Sequence, residues 1–135
     1  MIVVLKLLSG EEIIGRMECQ TDEEFYKLES YELFDPMWIV PGESGAMKLR
    51  DAVMLAENAA LIFNPEFIIT CYHPSESLVR YYQCANDYSQ RFTRATINSQ
   101  IDLATSDLQE MIKEEEKYAS SLTDTLLKMT NSTLQ

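Results

Sequence analysis

The hydrophobic period of this chain changes once, at Pro74, and that change constrains its architecture more than any other feature. Before Pro74, short β-branched and aromatic runs alternate with turn residues, the pattern of strands. After it, apolar residues return every three or four positions, the pattern of one helix face. A chain of 135 residues has room for one domain and an appendage. We therefore expect a mainly β domain over 1–74 and a C-terminal helical extension over 75–135.

The β part divides at its turns. Ile2 to Leu8 ends at Ser9-Gly10-Glu11-Glu12, and the chain resumes as a strand from Glu12 to Cys19 with Gly15 inside it. A glycine inside a strand marks a bulge or a sharp bend. Thr21-Asp22-Glu23-Glu24 reads as a polar turn and Phe25 to Phe34 as a loosely alternating strand. Asp35-Pro36 and Pro41-Gly42-Glu43-Ser44-Gly45 punctuate a loop that holds the single tryptophan, Trp38. Met47 to Ala56 and Ala60 to Phe63 read as one long strand or two pieces. Asn64-Pro65-Glu66 is a tight turn before a last strand, Phe67 to Tyr72. Five or six short strands joined by tight turns over this length predict a small, strongly bent barrel.

In the helical part, Ser75 is the expected N-cap of a first helix, with Leu78, Tyr81 or Tyr82, Ala85, Tyr88 and Phe92 on one face. Asn98-Ser99 is the expected interruption. A second helix follows, with a capping box at Ser106-x-x-Gln109. Its positions 101, 104, 108, 111, 115, 118, 122, 125 and 129 keep a 3-4 heptad spacing, and all but Glu115 and Thr125 are apolar. Thr130 to Gln135 are expected to fray.

The net charge is −11, of which −8 falls in residues 1–74. That argues against a protein that coats nucleic acid through a broad basic surface. The one mildly basic stretch runs from Leu78 to Gln100, where Arg80, Arg91 and Arg94 face a single Asp87. Its aromatics and arginines suit base stacking, but at helical spacing we read the aromatics as a buried face and the arginines as partners of the acidic β part. Cys19, Cys71 and Cys84 are odd in number and lack Cys-x-x-Cys spacing, so no disulfide framework is expected. No basic leader and no long apolar run is present, so we expect neither secretion nor a membrane span but a cytoplasmic protein.

The segment Lys6-Leu7-Leu8-Ser9-Gly10-Glu11-Glu12-Ile13-Ile14-Gly15-Arg16 resembles the first signature of the Sm-like (LSm) proteins: strand, Leu-x-x-Gly, four residues, Gly, second strand. The resemblance covers roughly residues 1–74 and points to the viral or bacterial, marine phage-type members, which would place the protein in a host cytoplasm. It implies an Sm-like five-stranded barrel, here followed rather than preceded by helices. It also implies edge-to-edge assembly into a homo-oligomeric ring of about five to seven subunits. The last two strands would supply that interface through Leu61, Ile62, Phe63, Phe67, Ile68 and Ile69.

Sm-like rings bind single-stranded RNA through two loops. The first loop matches Asp22-Glu23-Glu24-Phe25-Tyr26-Lys27, with an acid and aromatics but no recognisable Asn. The second matches Phe63-Asn64-Pro65-Glu66, where the usual Arg-Gly turn is replaced and Glu66 adds an acid that phosphates repel. Candidate RNA-binding residues are Phe25, Tyr26, Lys27, Phe63 and Asn64; the alternative is that they serve only as core and turn. Catalysis is not expected. His73 is the sole histidine, Cys71-x-His73 lacks further zinc ligands, and no phosphate-binding glycine loop occurs. No cofactor or metal is expected. The competing function is an acidic, homo-oligomeric protein-interaction scaffold that holds a protein partner through the C-terminal helices without binding RNA.

Overall fold

The computed structural model describes residues 1–56 and 58–133. Six strands form one antiparallel sheet: β1 (Ile2–Leu7), β2 (Glu12–Arg16), β3 (Tyr31–Pro41), β4 (Met47–Asp51), β5 (Ala60–Phe63) and β6 (Ile68–Tyr72). Three α-helices accompany them: α1 (Asp22–Tyr26), α2 (Glu76–Tyr88) and α3 (Arg94–Thr133). The strand order is β4-β3-β2-β1-β6, with β5 added to the N-terminal half of β3. The sheet is not closed. Among the described residues, β6 pairs with β1 alone, and β4 and β5 pair with β3 alone.

Strand β1, between β2 and β6, is buried on both faces, because Val3, Val4 and Leu5 are each fully buried. Alternation sends Val3 and Leu5 to one core and Val4 to another. The first core joins Val3, Leu5, Ile13 and Leu33 with Phe25 and Tyr31. The second joins Val4, Ile14, Met37 and Leu49 with Tyr82 of α2. Helix α2 thus covers the outer face of the sheet. Its phenol hydroxyl, from Tyr82, donates to the Asp35 carbonyl at 2.8 Å. The structure divides into two compact units between Ala95 and Thr96, and α2 belongs to the first through the core that β1, β2, β3 and β4 share.

Several local readings are corrected. The segment 21–26 is a helix rather than a turn. Thr21 caps it by accepting from Glu24 N, and Glu24 in turn accepts from Gln20 N at 3.0 Å. The signal was present as Thr21-x-x-Glu24, a capping box. Asp35-Pro36 and Trp38 lie inside β3, not in a loop. Asp35 has φ +49° where β3 leaves its pairing with β5 for its pairing with β4, so a turn-type dipeptide serves as a bend within a strand. The stretch 47–63 is two strands, β4 and β5.

In the helical part, Ser75 caps α2 by accepting from Leu78 N at 3.3 Å. The buried stripe runs through Leu78, Tyr82, Ala85 and Ser89, whereas Tyr81, Tyr88 and Phe92 are exposed, contrary to the buried face expected of them. Helical continuity is broken not at Asn98-Ser99 but at Ser89–Thr93, which winds as a π-helix. Ser106-x-x-Gln109 lies inside α3 and caps nothing. Fraying from Thr130 is not seen, since α3 continues to Thr133, and the remaining two residues lie outside the described ones. No helix among the described residues is long and apolar enough to cross a membrane.

Candidate functional site

The two loops that the sequence pairs as a site converge on one cleft of about 220 Å³, lined by Phe25 and Tyr26 on one side and by Pro65, Ile68 and Ile69 on the other. Helix α1 builds the first wall. Its short amphipathic turn drives Phe25 into the core, 5% exposed, where the ring stacks on Tyr31 at 4.5 Å and 6° between planes. Tyr26 packs edge-on against Phe25 at 5.5 Å and is 77% exposed. Lys27 is the exposed C-cap. At the far side, Asn64 caps a single 3-10 turn by accepting from Glu66 N at 3.1 Å, with Pro65 in the first helical position. His73 Nε2 lies 2.8 Å from Asp22 Oδ1 and ties the end of β6 to the start of α1.

Of the candidate RNA-binding residues, Phe25 and Tyr26 line the cleft, and Lys27, Phe63 and Asn64 do not. Phe25 is a core side chain, so only its packing, not an open ring face, reaches the site. Phe63 pairs with Tyr31 across β5 and β3 and packs on the first core. The oxygen of Asn64 is engaged in its own turn. Sequence reasoning missed Tyr31 and Cys71, which also line the cleft. Their alternation with core positions was the available signal. Both are held neutral. Burial pushes the Cys71 thiol up to about 11, with the charges of Asp22 and Cys19 acting in the same direction. Burial likewise raises the Tyr31 phenol. A neutral, aromatic-walled cleft with Asp22, Glu23 and Glu66 on its bordering segments suits an uncharged planar group. It does not suit a phosphate, and the raised thiol makes a poor nucleophile. Among the described residues no cluster of histidine, cysteine and carboxylate is suited to a metal.

The proposed interface residues fall into two sets. Leu61, Phe63 and Ile68 pack on the first core. Ile62, Phe67 and Ile69 face outward, with Ile62 70% and Ile69 56% exposed. The split follows from strand alternation on strands with one inner face. Among the described residues three strands, β4, β5 and β6, keep one unpaired edge, and β5 and β6 carry exposed apolar side chains there. No protein-family model matches the chain, and no curated protein matches it.

Proposed function

We propose that this chain is an Sm-like protein that closes into a homo-oligomeric ring through β5 and β6 and contacts single-stranded RNA at the Tyr26 cleft. The observation that carries the ring is that β5 and β6, two of the three strands with an unpaired edge among the described residues, carry exposed apolar side chains. An exposed apolar edge is an aggregation hazard unless another strand covers it. Pairing β5 of one copy with β6 of the next covers both edges and, by rotation, closes. Helix α2 on the outer face does the work of the helix that precedes the first strand in the family. Three unpaired cysteines suit a reducing cytoplasm.

A chain stopped after Gln100 retains both cores, which lie entirely within residues 1–95. Its mass by light scattering is expected to be a fixed multiple of the subunit mass. Ile69→Lys in the same chain is expected to return it to a monomer, because it places a charge on the paired edge. A truncated chain that is already monomeric rejects edge assembly.

RNA contact is the second half of the reading, supported by an exposed Tyr26 beside a neutral cleft. Labelled oligo-U is expected to bind at micromolar protein, with oligo-A as the comparison. Tyr26→Ala is expected to cost about 1–3 kcal/mol of that binding, the worth of one stacked base. The acids Asp22, Glu23, Glu24 and Glu66 favour the competing reading, a protein-interaction scaffold. Absence of oligo-U binding at micromolar protein, at both low and physiological salt, selects the scaffold.

A further inference from the structure

Every residue from Ser99 to Asn131 is exposed, yet α3 carries an apolar stripe interrupted only at Glu115 and Thr125. From Ile101 to Met129 the stripe keeps alternating steps of three and four residues, spanning about 42 Å at the α-helical rise. A period of 3.5 stays on one side of a helix only if that helix supercoils around partners of the same period. We propose that residues 101–129 form a parallel coiled coil with the same segment of other copies of this chain.

Three observations favour a copy of itself over another occupant. First, a second copy carries the same period over the same length, so every layer of the seam finds its equal. Second, the charges are placed for it. With Ile101 and Ala104 as positions a and d, the acids Asp107 and Glu114 fall at g, whereas the e positions are Thr105, Ile112, Ala119 and Leu126. In a parallel coil each g side chain flanks an uncharged e residue of its neighbour, so the flanking rows of two acidic helices meet without like charges, and like carboxylates face each other only in the Glu115 layer. Third, the two threonine hydroxyls on or beside the seam need no partner. Thr105 Oγ1 donates to the Ile101 carbonyl and Thr125 Oγ1 to the Ser121 carbonyl, each at 2.9 Å. They enter a dry interface already satisfied.

Ile112 and Leu126 at e widen the stripe beyond the narrow a/d seam of a two-stranded coil, as a bundle of more than two helices requires. Glu115 is the one charged seam residue, a polar a position of the kind that fixes register at a cost in stability. The parallel sense rests on the ring proposed above, since rotation about a closed ring keeps equivalent helices in the same direction.

The test uses the full chain with Cys84→Ser, which removes the exposed thiol. A single cysteine is placed on the stripe as Ala104→Cys or off it as Ser106→Cys, and both proteins are oxidised by dissolved oxygen with a copper catalyst. Ala104→Cys is expected to give disulfide-linked dimers on a non-reducing gel, because equivalent d positions of a parallel coil lie within bridging distance. Moving the thiol two residues round the helix is expected to abolish them. No dimer with Ala104→Cys, or equal dimer with Ser106→Cys, overturns the proposal. The ring is read separately from the mass of the chain stopped after Gln100. Failure of the coil leaves that mass a multiple, and failure of the ring leaves it monomeric whatever Ala104→Cys does.

Discussion

Arg94→Met is expected to remove about 3–5 kcal/mol of stability, the cost of stripping a buried charge of its partner. Arg94 and Asp51 each have side chains only 6% exposed, and they lie 3.7 Å apart. Arg94 Nη2 donates to the Val53 carbonyl at 3.3 Å, and Ser89 Oγ donates to Asp51 Oδ2. Asp51 Oδ1 and Arg94 Nε have no hydrogen-bond partner among the described residues. The Asp51 carboxyl sits above its ordinary 3.8 because burial outweighs the opposing pull of Arg94, with Asp35 adding repulsion. A raised acid favours its neutral form in the folded state. Its contribution is therefore complete below the ordinary carboxylate range and is lost as the pH climbs through the raised native value.

Removing Arg94 takes away the positive charge that holds Asp51 down. The deficit of Arg94→Met should thus be large at neutral pH and shrink on acidification below the ordinary carboxylate range. Urea unfolding at the two pH values measures both. Asp51→Asn combined with Arg94→Met should recover most of the loss, since no unpaired charge remains. An Arg94→Met deficit that is the same at both pH values contradicts this account.

Gly15→Ala is expected to destabilise the protein by about 1–3 kcal/mol, the range for forcing a methyl into a filled core. A glycine-to-alanine change in a compatible backbone stabilises by about 0.4–1 kcal/mol through the unfolded chain, so the sign itself is informative. A Cβ on Gly15 would come within 2.9 Å of both Leu33 methyl carbons. Leu33 is fully buried and has no open space to retreat into. The pairing of β2 with β3 shifts register between Ile14 and Arg16, where this close approach occurs. Leu33→Ala opens the space that the methyl needs. In a double-mutant cycle the pair should be less destabilised than the sum of the singles by about 0.5–3 kcal/mol. Additive effects would place the cost somewhere other than this contact.

Gly15 is also where the sequence was most legible. A glycine inside a β-branched run predicts a bulge or a bend, and the β2–β3 pairing shifts register there. Gly10, at φ +86°, likewise sits in the turn its neighbours announce. The strands β1, β2 and β6 were readable because each is a short apolar run bounded by turn residues. Asp35-Pro36 misled because the same dipeptide that starts a turn also serves a strand that changes partners. Helix α1 was lost because its acids suggest solvent while its cap and its one core side chain, Phe25, define a helix of a single turn. The aromatics of α2 misled for a different reason. Tyr81 and Tyr82 are adjacent, so either could lie on the buried face, and only the packing of Tyr82 against Val4 and Ile14 decides between the two phases. The cleft was legible as two loops but not as a surface. Which of its aromatics is available depends on the stacking of Phe25 on Tyr31, a contact set by tertiary packing.

The double burial of β1 bears on how the protein opens. Val3 and Leu5 anchor one core and Val4 the other, so a single strand belongs to both. Neither core can come apart while that strand stays in place, and neither survives its departure. Local opening is thereby confined to the periphery, and the sheet with α2 behaves as one cooperative unit. The amides of Val3, Val4 and Leu5 belong to its slowest-exchanging set, released only when the whole unit unfolds.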